Sequence, residues 1–407
     1  MNYLQPQPHK KIAFVVGSFL GDTGGGKKIV AKIINELAKR KNFSFIVIDF
    51  ESRIIDKKFP ISMDIEDLIK DIKFFVITSI FFKRNPIPLL YRFIKLVKIE
   101  KPDLIIDVTG PTLKTLNLLA VILAFRKKDR PKYIFFDHSP VKTLLKHSKF
   151  YFIYRFLSPL MYRKADMIGS VSKELVANVA REFSIRPEKT VFIYNPIDIE
   201  LILKRSNEPV FHPWFINKNL PIILTVCRLD SIQKDVPLLI RAFVSVKKTI
   251  PCRLVVIGTG PQENELKKLV SKLGIDKDTW FVGYDKNPYK YMAKSDVFVL
   301  STKFEALPLV LGEAMACGCP IISSDCDFGP REILDHGKYG ILVPVGNEHA
   351  LADAILKILS NPELRMEYIK KGRERVRFFS IETAIEKYET LFQNLLKEDS
   401  KNYNNKS

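Results

Sequence analysis

Short apolar runs rich in β-branched and aromatic residues alternate along the chain with longer stretches whose apolar residues recur at helical spacing. "KIAFVVG" precedes the amphipathic "KKIVAKIINELAKR", and "FSFIVID", "FFVITS", "PDLIIDV", "KYIFFD" and "ADMIGSVS" follow with helical segments among them. The second half repeats the scheme with "PIILTVCRL", "CRLVVIG", "DTWFVG", "DVFVLS", "CPIISSD" and "GILVPV". Strands that are apolar throughout, separated by helices, predict parallel sheets covered on both faces. The proline-containing stretch "VFIYNPIDIELILKRSNEPVFHPWFINKNLP" interrupts the alternation and places a hinge near Asn195–Asp198.

The pattern therefore predicts an α/β chain of two doubly wound, Rossmann-like parallel-sheet domains that face each other across an interdomain cleft. Its parts are an N-terminal domain over 1–196, a C-terminal domain over 197–380, a helix over 381–396 that crosses back to the N-domain, and a frayed tail over 397–407. In such sheets ligands bind at the carboxyl ends of the strands, so the loops after strands are where chemistry is sought.

Composition agrees with this division. The 407 residues exceed what one core supports, and 46% apolar with 27% charged residues describes an ordinary globular enzyme. The charge changes the picture more. Residues 1–200 carry 35 Lys/Arg against 20 Asp/Glu, whereas residues 201–407 carry 30 against 25. The excess points to an anionic partner for the first half. The basic, aromatic segments "FFKRNPIPLLYRFIKLVKIEK" and "VKTLLKHSKFYFIYRFLSPLMYRK" fit either half-buried helices with a solvated edge or a surface resting on anionic lipid. Cations interleaved with bulky apolar groups, and no recognised binding module, argue against nucleic acid. No signal peptide or spanning run is read, and five cysteines in apolar surroundings suggest reduced thiols. The expected location is cytoplasmic, peripheral on the inner face of a membrane.

"GDTGGGKK" fits a phosphate-binding loop until its last position, where Lys28 replaces the hydroxyl that would hold magnesium. The expectation is instead that Gly24, Gly25 and Gly26 bring bare backbone close to a ligand, with the N–H groups of a helix beginning near Lys27 facing an anion or a sugar. "STKFEALPLVLGEAMACGCPIISSD" carries the stronger signal. Glu305 ends a strand-to-helix loop, Pro308 suits the first turn, and Glu313 stands in an otherwise uncharged helix. Two helical turns would separate the acids by roughly 10–12 Å, about the span from ribose to sugar in a nucleoside diphosphate sugar. The N–H groups of Leu309 and Val310 would face the diphosphate. "LTVCRLDSIQKD" supplies Arg228 and Lys234, two cations suited to a diphosphate leaving group. Asp325 and Asp327 imitate a metal-binding D-x-D, but with these cations no metal or other cofactor is required.

These motifs together resemble the retaining glycosyltransferases of family 4, which have the GT-B fold, from about residue 10 to 395. E-x7-E matches Glu305 and Glu313, R-x5-K matches Arg228 and Lys234, and the early glycine turn matches Gly24, Gly25 and Lys27. "YNPID" matches the hinge, and "FFDHSP" places His138 where the family has an N-domain histidine. "GPREIL" is similar to members acting on lipid-linked oligosaccharides and lipopolysaccharide. The resemblance implies that Glu305 binds hydroxyls of the donor sugar and Glu313 those of the ribose. Arg228 and Lys234 would stabilise the departing diphosphate, and His138 would contact the transferred sugar or donor phosphate. The donor implied is a UDP-linked galactose, GalNAc or GlcNAc, and the acceptor a glycan or lipid-linked glycan. A synthase acting on a soluble acceptor and a non-catalytic sugar-nucleotide binder are the alternatives. Two departures are Cys227 and Asp235, each where the family has Gly; Asp235 is expected to tighten the loop over the diphosphate.

Overall fold

The computed structural model describes residues 10–17, 25–51, 72–78, 86–138, 141 and 151–404. It divides into two units, Met1–Tyr194 with Glu382–Ser407, and Asn195–Ile381.

The first unit is built on a seven-stranded sheet: β1 (Lys11–Gly17), β2 (Ser44–Glu51), β3 (Lys73–Thr78), β4 (Leu104–Asp107), β5 (Lys132–Asp137), β6 (Met167–Ser170) and β7 (Thr190–Phe192). Its order is β3-β2-β1-β4-β5-β6-β7, and every pair is parallel. The strands are apolar throughout because alternate side chains serve two cores. Ala13, Val15, Ile46, Ile105 and Phe135 join one core with Phe93, Leu118, Tyr162 and Val179 from the helices Ile87–Glu100, Pro111–Ala124, Tyr151–Lys164 and Lys173–Phe183. On the other face the helix Ile381–Asn404 sets Tyr388 against Phe136 and Phe392 against Phe43. Glu389 of that helix accepts from Arg40 (2.7 Å) and Asn42 (2.7 Å).

The second unit has six parallel strands: β8 (Ile222–Val226), β9 (Arg253–Ile257), β10 (Thr279–Gly283), β11 (Val297–Leu300), β12 (Ile321–Ser324) and β13 (Ile341–Val343), in the order β10-β9-β8-β11-β12-β13. The helices Val236–Thr249 and Glu348–Ser360 pack together over one face, where Phe243, Leu239 and Ile355 are fully buried. Each such large side chain removed from water contributes about 2–3 kcal/mol. Leu309–Ala316 and Pro362–Arg375 pack against each other in the same unit.

In both sheets the strand order reverses beside the first strand of the unit, between β1 and β4 and between β8 and β11. The loops leaving neighbouring strands there diverge and open a crevice at their carboxyl ends. Among the described residues no helix is long and apolar enough to cross a membrane.

Candidate active site

At the carboxyl end of β8 the chain is pinned to the end of β9. Cys227 N–H donates to Ile257 O and Leu229 N–H to Thr259 O, both at 3.0 Å. Gly258 and Gly260 permit this approach, since a Cβ on either would lie 1.9 Å from Cys227 O or 2.2 Å from Leu229 O. Arg228 sits between the two pinned residues, and its Nε donates to Asp230 Oδ2 at 2.7 Å. Burial alone would raise the Asp230 carboxyl, but the Gln233 N–H and the Arg228 guanidinium outweigh it and hold it below the usual carboxylate range.

The chain after Asp230 then runs antiparallel to the loop leaving β11. Lys303 N–H donates to Gln233 O (2.8 Å), Asp235 N–H donates to Ser301 O (3.0 Å), and Lys234 bridges Thr302. This pairing brings Lys234 onto Glu305: Lys234 Nζ and Glu305 Oε1 form an ion pair, with side chains 12% and 8% exposed. Glu305 also accepts from Gln233 Nε2 at 3.1 Å and Thr302 Oγ1 at 3.1 Å. Arg228, Asp230, Gln233, Glu305 and Lys234 thus form one hydrogen-bonded chain across the β8/β11 switch point. Asp235 is the N-cap of the helix Val236–Thr249, its side chain accepting from Leu238 N–H at 3.3 Å. Helix capping is thus one role that the structure gives this side chain.

Glu305 lies in an extended loop before the helix Leu309–Ala316, whose N-cap is Pro308. Residues 305–308 are not helical, so a spacing reckoned as two full turns does not apply to the two acids. Leu309 and Val310 open the helix, where N–H groups have no acceptor one turn back, while Leu311 N–H donates to Pro308 O at 3.0 Å. The loop is held from outside by Gly329, whose N–H donates to Ala306 O (3.1 Å) and whose missing Cβ would meet Pro308 Cδ at 2.4 Å.

Glu313 follows in the second turn of that helix. Burial pushes its carboxyl up to about 7, against a weak opposing contact from Tyr289, whose hydroxyl donates at 3.4 Å. Among the described residues no hydrogen bond is seen between Glu313 and Glu305. Asp325 is engaged by Arg331, which forms a bidentate pair with it at 2.9 and 2.8 Å.

In the first unit Gly25 and Gly26 open the helix Gly25–Lys39, which starts two residues earlier than expected from the sequence. Gly24 lies outside the described residues. His138 follows β5, with Phe136 against its ring. Both ring nitrogens are shielded and without a hydrogen-bond partner among the described residues. Burial, and after it the charge of Lys114, lowers the imidazole to about 4, so it is neutral at pH 7. Lys114 is 1% exposed and donates to Phe136 O (3.0 Å) and Asp137 Oδ1 (2.8 Å).

The sequence profile described as Glycosyltransferase Family 4 matches residues 23–201, and that described as Glycosyl transferases group 1 matches residues 207–375. The chain belongs to the family 4 glycosyltransferases. Among its family relatives is the N-acetylgalactosamine-N,N'-diacetylbacillosaminyl-diphospho-undecaprenol 4-alpha-N-acetylgalactosaminyltransferase of Campylobacter jejuni. The two are 36% identical over 225 residues, 55% of this chain and 59% of that one. The match thus spans about three-fifths of that relative's length. An uncharacterized glycosyltransferase of Methanocaldococcus jannaschii is 29% identical over 338 residues, 74% of this chain and 82% of the relative. The fold is GT-B: the crystal structure of Anabaena HepE in complex with UDP superposes with a TM-score of 0.75 at 18% identity, covering 94% of this chain and 100% of that one.

Four polar residues of this family member's candidate site were not singled out from its sequence. Asp230 and Thr302 are short-range partners of Arg228 and Glu305, Gln233 reaches Glu305 from 72 residues away, and Tyr289 reaches Glu313 from a separate helix. Only Asp230 had a readable signal, an acid two positions after the arginine at a strand end.

Proposed function

We propose that this chain transfers a sugar, with retention of anomeric configuration, from a UDP-sugar to a lipid-linked glycan or polysaccharide acceptor. The observation that carries the reading is the Lys234–Glu305 pair at the β8/β11 switch point, directly before the helix that holds Glu313. In this reading the N–H groups of Leu309 and Val310 and the cations Arg228 and Lys234 receive the diphosphate as the anomeric C–O bond breaks. Glu305 accepts hydrogen bonds from donor-sugar hydroxyls and Glu313 from the ribose. The cations offset the leaving charge without a metal. UDP as the nucleotide is supported by the UDP-bound structure of the same fold, and a lipid-linked acceptor by the name of the Campylobacter relative.

The test is UDP release from UDP-galactose, UDP-GalNAc and UDP-GlcNAc in the presence of an undecaprenyl-diphosphate-linked oligosaccharide, with the product's anomeric configuration read by NMR. Release from one of them with a retained anomer is expected. Release from none, or an inverted product, refutes the reading.

A further inference from the structure

In the first unit the helices Ile87–Glu100, Pro111–Ala124 and Tyr151–Lys164 lie side by side. Their outward faces carry side chains that a water-facing helix ordinarily lacks. On Tyr151–Lys164, Phe152 is 77% exposed and Phe156 76%, with Ile153 and Leu160 beside them. At 3.6 residues per turn these four fall within one arc of the helix. Tyr91 and Ile87 are exposed on the first helix and Leu123 on the second.

Cations occupy the same arcs. Arg155 and Lys164 are exposed on the third helix, with Arg163 beside them donating its Nε to Phe183 O at 2.9 Å, and Lys95 and Lys98 are exposed on the first. The three helices contain one acidic residue, Glu100, which is buried and bonded to Lys11 and Lys73. The exposed face is therefore apolar and cationic, with no carboxylate of its own helices to neutralise it.

We propose that this three-helix face docks onto an anionic phospholipid bilayer, with Phe152 and Phe156 at the headgroup–acyl boundary and the flanking cations on lipid phosphates. Charge selects this occupant. A second copy of the chain would set cations against cations, while a neutral apolar partner would leave them desolvated without counter-charge. A bilayer with anionic headgroups satisfies both kinds of side chain. The proposal stands apart from the donor chemistry and goes beyond the acceptor assignment.

The test is co-sedimentation of the full chain with vesicles of phosphatidylcholine alone, or with about a third phosphatidylglycerol. Binding to the anionic vesicles, partly reversed by high salt, is expected. Phe152→Ser/Phe156→Ser should lower the partition coefficient roughly tenfold or more, and Arg155→Gln/Lys164→Gln about fivefold per cation. Unchanged thermal unfolding and UDP-sugar binding in these variants would exclude misfolding as the cause and keep the result separate from the catalytic reading. Equal partition onto neutral and anionic vesicles overturns the proposal. So does a double Phe variant that binds like the parent, or a dimer of the parent that Phe152→Ser dissociates.

Discussion

Glu313 gives the most sharply defined prediction. Its carboxyl stands at about 7 rather than an ordinary 4.5, a difference worth about 3 kcal/mol between its protonated and ionised forms. The cause is burial, so the folded protein holds this proton more tightly than the unfolded chain does. Stability contributed by the group is therefore full below pH 4.5, declines as pH rises towards 7, and is lost above it. Donor binding should run the other way. Ribose hydroxyls donate to an ionised carboxylate, so the binding-competent form is the one that burial disfavours. About a tenth of the sites are ionised one pH unit below the midpoint and about nine-tenths one unit above, which predicts a roughly tenfold gain in affinity across those two units. Calorimetric titration with a nucleotide sugar, whose diphosphate does not titrate in this range, measures the slope. Repeating it in buffers of different ionisation enthalpy counts the protons released. Glu313→Gln should bind more weakly and lose the pH dependence, and its unfolding midpoint should no longer fall across the window. A flat profile in the parent protein, or a slope that survives in Glu313→Gln, would refute the assignment.

Lys234→Ala should lower turnover by about a hundredfold while weakening nucleotide binding less, because the leaving charge peaks in the transition state; steady-state kinetics beside a binding isotherm separate the two. Turnover should be unchanged by excess chelator, and a complete loss restored by added magnesium or manganese would contradict the role given to Arg228 and Lys234. Gly329→Ala would drive a methyl group against Pro308 and Ala306. It should destabilise the second unit by about 1–3 kcal/mol and reduce turnover through the Glu305 loop, as read by thermal melts and kinetics.

Much of the fold was legible because parallel strands buried on both faces leave unbroken apolar runs. β1 and β9 read directly from "KIAFVVG" and "CRLVVIG". β7 did not, since Thr190–Phe192 is a three-residue strand with all three side chains half-buried. The site's motif residues could be named from spacing, and Glu305 and Lys234 do meet. That they meet each other was not readable, because it depends on two loops running antiparallel after β8 and β11, a tertiary event without local periodicity. Lys114 was missed for a related reason. In "PTLKTLNLLAVILA" a single lysine looks like a solvated edge, yet its ammonium is buried against Asp137, whose position at a strand end was the sole hint.

The pairing of Lys234 with Glu305 bears on which anions this loop ignores. A cell is full of small anions, and an unpartnered lysine at a strand end would gather them. Here the ammonium already has its counterion, so a bare phosphate gains Lys234 only by stripping Glu305 of a charge it holds in a nearly dry loop. In the function proposed above, a nucleotide sugar can do what phosphate cannot, because the hydroxyls of its sugar are donors that would give Glu305 new hydrogen bonds as its diphosphate takes the lysine. On that proposal exchange of partners, rather than attraction of charge, would be the gate, opening to a molecule that carries both halves.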